Sequence, residues 1–197
     1  MPRRPPLTVL VVDHSPGHAS SLVAALATLE GIQVACTLDS PLELMARVAE
    51  HLPDVVLIDT GSPSRDVLEQ LAAVNASAPR PVVMFANDAG DETIRAALRA
   101  GVSAYIVDGL SPGRLEPILR VARERFREEQ RLRAELEDTK GRLAERKVVE
   151  RAKGILMTQR GMSEEEAFAA LRRHAMERGL KLGDAAKQLI DIAALLG

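Results

Sequence analysis

Three aspartates occupy matching places in the first half of the chain. Asp13 closes the apolar run Thr8–Asp13, Asp59 closes Val55–Asp59 and Asp108 closes Ala104–Asp108. Two similar runs, Gln33–Thr37 and Pro81–Ala86, end without an acid. Acids brought to one end of a sheet can hold a divalent cation, which needs only one or two carboxylates plus water. The last fifty residues carry the opposite charge chemistry. Arg151, Lys153, Arg160, Arg172 and Arg173 are cations spread over amphipathic segments, and Gly154 stands in the middle of one of them. Glycine inside a helix costs about 1 kcal/mol relative to alanine. Its presence suggests a close approach to the backbone, by a neighbouring helix or by a ligand.

The elements that must position the acids follow from hydrophobic patterning. Helical patterns at Ala19–Leu29, Pro41–His51, Arg65–Asn75 and Asp91–Ala100 separate the five apolar runs. Continuous apolar strands alternating with amphipathic helices predict a parallel sheet covered on both faces. The fold class is therefore α/β, a doubly wound five-stranded parallel sheet. Ligands of such sheets sit at the carboxyl ends of the strands, which is where the aspartates and His14 fall.

The order Val-Val-Asp (11–13), Pro-Asp-Val-Val-Leu-Ile-Asp (53–59), Pro-Val-Val-Met-Phe (81–85) and Gly-Val-Ser-Ala-Tyr-Ile-Val (101–107) resembles a response-regulator receiver domain over residues 7–125. The resemblance implies flavodoxin-like strand order, Asp59 as phosphoacceptor, and Mg²⁺ held by Asp13 and Asp59. It also exposes departures. The family's acidic pair after the first strand is Asp13-His14 here, its fourth-strand hydroxyl is Ala86, and its fifth-strand Lys is Asp108. Phosphoryl transfer relies on positive charge around the moving oxygens, and Asp108 supplies the opposite sign. These departures favour a degenerate receiver used as a docking platform for a protein partner over a phosphorylation switch. Tyr105 matches the family's rotating aromatic, with a core or interface role as the alternative.

After Ser111-Pro112, an N-cap and first-turn proline, a helical stripe runs through Leu115, Ile118, Leu119, Ala122 and Phe126. Pro117 requires the helix to start near Arg114 or to kink. Leu132, Leu136, Thr139 and Leu143 then repeat at alternating four- and three-residue steps among charged residues, which predicts a dimeric coiled coil over residues 126–143. The alternative is a solvated helix within one chain. Gly141 is a candidate bend. Three amphipathic segments complete the chain. The first, Glu145–Arg160, presents Val148, Ala152, Ile155, Leu156 and Gln159 on one face; the second follows the capping box opened by Ser163, with Ala167, Phe168, Leu171, Ala175 and Met176; the third carries Leu182, Ala185, Ala186, Leu189, Ile190 and Ala193. Short helices of this kind bury their stripes on one another as a bundle.

Ala-Lys-Gly-Ile-Leu-Met (152–157), Gly-Met-Ser-Glu-Glu-Glu-Ala-Phe (161–168), Leu-Arg-Arg-His-Ala-Met (171–176) and Lys-Leu-Gly-Asp-Ala-Ala (181–186) resemble an ANTAR domain, the RNA-binding output module of transcription antiterminators. The implied organisation is a disordered tail at 1–6, a receiver-like domain at 7–125, a coiled-coil connector at 126–143 and an ANTAR bundle at 144–197, similar to regulators of the NasT and AmiR type. Asp-Gly-Leu at 108–110 is closer to the NasT branch, which implies nitrate or nitrite assimilation genes. The implied partners are leader RNA hairpins, a second copy of the chain, and a nitrate sensor or histidine kinase docking on the receiver. RNA loops are read by shape, phosphate contacts and splayed bases. Arg151, Lys153, Gly154, Arg160, Arg172 and Arg173 are the candidate RNA contacts, with solvated helix charges and simple helix packing as the bland alternative.

Composition narrows the rest. One cysteine, Cys36, excludes an internal disulfide framework, fits a reducing cytoplasm and reads as a buried strand thiol. Among 197 residues only four are Phe or Tyr and none is Trp, too few for a broad base-stacking platform. No apolar run reaches membrane-spanning length. His174 has no second ligand at metal-site spacing. No nucleophile–base pair appears, so an enzyme is not expected; no cofactor is required, and Mg²⁺ is a candidate at the receiver-like site. A DNA-binding response regulator and an adaptor without nucleic-acid contact stay open. The acids Glu164–Glu166 at the start of the second segment argue against a DNA recognition helix there.

Overall fold

The computed structural model describes residues 6–13, 19–107 and 112–196. His14, Asp108, Ser111 and most of the N-terminal tail lie outside the described residues. Two compact units are present, residues 1–130 and 131–197.

The first unit is built on strands β1 (Leu7–Asp13), β2 (Ile32–Leu38), β3 (Val55–Thr60), β4 (Val82–Ala86) and β5 (Ala104–Val107). All pairings are parallel and the order is β2-β1-β3-β4-β5. This is the flavodoxin-like order. Helices α1 (Ala19–Ala27), α2 (Leu44–His51), α3 (Arg65–Ser77) and α4 (Asp91–Arg99) separate the strands. Every strand residue of a two-faced sheet meets a core, which is why the runs are continuously apolar. Leu10, Val12, Val56, Ile58 and Met84 pack with Leu44 and Val48 of α2 and Val67, Leu71 and Val74 of α3. Their neighbours Val9, Val11, Val55, Leu57, Val83 and Phe85 face Leu22 and Leu26 of α1 on the other side. Leu115, Leu119 and Ala122 complete that second core.

The expected segment Pro41–His51 divides into two. Ser40 Oγ accepts from Leu42 N, closing a 3₁₀ turn at Pro41–Glu43, and α2 begins only at Leu44. Cys36 is half-buried, and that burial pushes its thiol pKa up.

Helix α5 runs unbroken from Pro112 to Arg160. The expected helical segment Glu145–Arg160 is its C-terminal part. Pro117 sits inside the helix, where it removes the amide that would reach the Gly113 carbonyl. Gly113 is exposed, so water can satisfy that carbonyl, and neither a start at Arg114 nor a break is needed. Gly141 likewise lies within the continuous helix. Leu132, Leu136 and Leu143 are 52%, 53% and 55% exposed, an apolar seam without a cover in the single chain.

The second unit packs the end of α5 against α6 (Glu164–Arg178) and α7 (Leu182–Leu196). Gly161 and Gly179 both adopt φ of +63°, ending α5 and α6 in the left-handed conformation that glycine tolerates. The capping box forms as expected: Ser163 Oγ accepts from Glu166 N, and the Glu166 carboxylate accepts from Ser163 N. The core itself is built from small side chains. Val149, Ala152, Leu171, Ala175, Ala185 and Ala186 are buried together. Two expected stripes shift accordingly. Phe168 and Met176 are exposed, because the buried face of α6 runs through Ala167, Leu171 and Ala175. On α5, Ile155, Leu156 and Gln159 line an open groove with Ala170, His174 and Ile192 rather than the core.

Candidate phosphoacceptor site and nucleic-acid interface

The sheet register delivers the two acids described at its carboxyl edge. Asp13 and Asp59 are direct neighbours in the β1–β3 pairing. Asp13 is buried and Asp59 half-buried. Two adjacent carboxylates at strand ends are a donor set that fits Mg²⁺ with water completing the shell. One residue beyond Asp59, the buried Thr60 is paired with Ala86 on β4. The Thr60 hydroxyl donates to the Ser62 carbonyl at 3.1 Å, and Ala86 has no hydroxyl to add.

A different residue organises the loops around this edge. The Asp88 carboxylate accepts from Gly90 N at 2.8 Å, Ser62 Oγ at 2.9 Å and Thr93 Oγ1 at 3.0 Å. Backbone amides of Asn87 and Asp88 donate to the Gly61 carbonyl. The loops after β3 and β4 and the start of α4 are thus tied to one side chain. Tyr105 on β5 joins them, its hydroxyl donating to the Asp88 carbonyl oxygen at 2.8 Å. Tyr105 therefore has a backbone partner, where Ala86 offers no hydroxyl.

Sequence reasoning passed over Asp88. The Asn-Asp-Ala-Gly turn is a signal that its side chain would bond the backbone two residues on, but the Ser62 and Thr93 contacts depend on the fold. The Gly90 amide, then the two hydroxyls, hold the Asp88 carboxyl below its ordinary value of 3.8. A depressed carboxylate pKa stabilises the fold above the unfolded value, and that stabilisation disappears as pH falls through the folded one. Asp88→Asn is expected to lower the urea midpoint at pH 7. Its deficit against wild type should shrink as the pH falls below 3.8. A deficit independent of pH would show that the carboxylate charge is not what holds the loops.

In the second unit, the candidate RNA contacts divide. Arg151, Gly154, Arg160, Arg172 and Arg173 are exposed. Lys153, expected as a direct cation toward RNA, is instead buried and paired. Its side chain is only 9% exposed, and Nζ donates to Glu164 at 2.7 Å and Glu150 at 3.0 Å. The hydrogen bond to Glu164, then that to Glu150, raises the Lys153 pKa and keeps it charged. The same contact lowers the pKa of Glu164. The ammonium is thus spent on joining α5 to the N-terminus of α6. Lys153 and Arg151 are two residues apart, about 200° around the helix, so burial of one leaves the other in solvent.

Gly154 has a second outcome. A Cβ built there meets nothing within 4 Å, so packing within the chain does not call for glycine. Gly183 behaves in the opposite way: a Cβ there would lie 2.8 Å from Glu145 Cγ, marking the close approach of α7 to α5. His174 lines the apolar groove beside Arg160. Among the described residues no group of three His, Cys, Asp or Glu side chains could hold a metal ion. No helix among the described residues is long and apolar enough to cross a membrane.

Comparison with known proteins agrees with this division. The family model for the response regulator receiver domain matches residues 9–120, and that for the ANTAR domain matches residues 137–190. The transcriptional regulatory protein PdtaR of Mycobacterium tuberculosis is 34% identical over 141 residues, covering 72% of this chain and 69% of the relative. The nitrate regulatory protein of Klebsiella oxytoca is 40% identical over 78 residues, which is 40% of this chain but only 20% of that protein. Among solved structures, the signal receiver domain of the response regulator NarL from Mycobacterium tuberculosis superposes with a TM-score of 0.55 at 23% identity, covering 60% of this chain and 98% of that one. That likeness concerns the fold alone. Both matched domains are regulatory modules, one for input and one for output. The chain belongs to the ANTAR response regulators, a family of RNA-binding antitermination regulators.

Proposed function

We propose that this protein is a cytoplasmic antiterminator that binds paired hairpin loops in a nascent leader transcript and lets polymerase read through. The observation that carries the reading is Gly154. A helix interior tolerates glycine at a cost of about 1 kcal/mol, and nothing within the chain lies close enough to require it. An outside surface that approaches the α5 backbone gives that cost a purpose. The uncovered Leu132, Leu136 and Leu143 seam supports a coiled-coil homodimer, and two bundles on two loops gain effective concentration. The test is binding of the full chain to a two-hairpin leader RNA across a salt series. Salt-dependent binding, tighter than to duplex DNA of equal length, is expected. Equal affinity for the duplex would favour a DNA-binding regulator, and no binding to either would leave a protein adaptor.

Control enters, in this reading, through a protein docked on the receiver. Asp13 and Asp59 would hold Mg²⁺, whose charge would offset phosphoryl oxygens at Asp59. The side chains that normally complete that chemistry are Ala86 and Asp108 here. A small phosphodonor with Mg²⁺ is therefore expected to leave Asp59 unlabelled by intact-mass measurement. Stoichiometric labelling would return the receiver to the phosphorylation switches. The Asp108-Gly109-Leu110 run and the nitrate regulatory relative support nitrate or nitrite assimilation genes as targets. They likewise support a nitrate sensor, with a histidine kinase as the alternative, as the docked partner.

A further inference from the structure

Lys147, Arg151, Gly154 and Thr158 recur along α5 at i, i+4, i+7 and i+11, which places them on one stripe of the helix. All four are exposed. Beside the N-terminal half of this stripe, α5 and α7 enclose a shallow groove lined by Lys147, Val148, Arg151, Lys187, Ile190 and Asp191. Three cations against one carboxylate leave the lining with a net positive charge. Val148 and Ile190 are half-buried in its floor. Two of the cations are uncommitted, Lys147 and Arg151 having no ion pair among the described residues, and Lys187 has only a long 3.9 Å contact to Asp184. Lys153 on another side of α5 is committed twice over.

We propose that this groove and the stripe leading to Gly154 form a track for RNA sugar–phosphate backbone. Lys147, Arg151 and Lys187 contact phosphates, and Gly154 lets the strand lie against the helix. The proposal rests on the RNA-binding reading above and deepens it by assigning the contacts. The lining holds no aromatic ring and no amide side chain, the groups that stack on bases or read their edges. Its cations therefore position RNA without specifying sequence. Arg160 lies in the separate apolar groove, and Arg172 and Arg173 belong to α6; none of these three is part of the track.

Phosphate contacts leave a thermodynamic signature that base contacts do not. Each one contributes about 0.7–0.9 to the slope of log affinity against log salt. The full chain is titrated with a two-hairpin leader RNA between about 50 and 400 mM salt, with loop-sequence variants of the RNA in parallel. Lys147→Ala and Lys187→Ala are each expected to flatten the slope by about 0.7–0.9, and the double variant by roughly twice that. Affinity should fall by a similar factor for every loop sequence. Lys147→Arg and Lys187→Arg should restore the slope. These residues are exposed, so unchanged thermal unfolding is the check on each variant. If the wild-type chain binds RNA but both lysine variants keep its slope, the track is wrong and the RNA reading survives. A loss confined to one loop sequence also overturns it, because the lysines would then be reading bases. No RNA binding by the wild type removes both proposals together.

Discussion

Replacing Leu171 with alanine is expected to unfold the C-terminal unit and leave the sheet domain intact. Leu171 is 1% exposed, and it is the one large side chain fully buried among the described residues of residues 131–197. Its companions in the core are Val149 and four alanines. Leu-to-Ala changes at buried sites cost about 2–5 kcal/mol, because the transfer energy is lost and a cavity remains. A unit of this size has little stability to spare. The alanines around Leu171 have no rotamers with which to fill the space. Hydrogen exchange read by segment should show residues 145–196 losing protection while β1, β3 and β4 keep theirs. Phe168→Ala and Met176→Ala, at exposed positions of the same helix, should stay within about 0.5 kcal/mol of wild type. Wild-type protection in Leu171→Ala would mean that the core lies elsewhere.

Gly154→Ala should move stability and RNA affinity in opposite directions. The added methyl meets nothing within 4 Å, and alanine is the better helix former by about 1 kcal/mol. The bundle is therefore expected to gain up to that amount in a urea titration. The same methyl would stand between the helix and an approaching strand. Affinity for a two-hairpin RNA is expected to fall about tenfold, the equivalent of roughly 1.4 kcal/mol. A tighter fold with unchanged RNA affinity would place the interface away from Gly154. A loss of both would mean that the position is not open in solution.

These two residues also mark how far the sequence could be read. The sheet was legible because each strand is buried on two faces, so the runs from Val9 to Val12 and from Val55 to Ile58 are continuous and hard to mistake. Asp13 and Asp59 followed from strand ends alone. In the bundle the same reasoning overvalued size. Phe168 and Met176 looked like core, yet the buried face of α6 is carried by Ala167, Leu171 and Ala175, and alanine gives little hydrophobic signal. The burial and pairing of Lys153 were not legible, because its partner Glu164 lies across the turn on the next helix, a contact that periodicity within one segment does not contain. Lys147 could have been found from its spacing to Arg151 and Gly154. Lys187 could not, since it reaches that stripe only through the packing of α7 on α5.

The pairing of Lys153 has one more consequence, for the approach of a partner rather than for its final contacts. Helix α6 begins with Glu164, Glu165 and Glu166, and Lys153 offsets part of that charge while adding no cation to the surface. The acidic helix start and the basic α5–α7 groove consequently lie on different sides of α5. In the RNA-binding reading proposed above, an approaching polyanion would be drawn to the groove and repelled by the glutamates. Such steering acts on the association rate, and it weakens steeply as ions shorten the reach of the field.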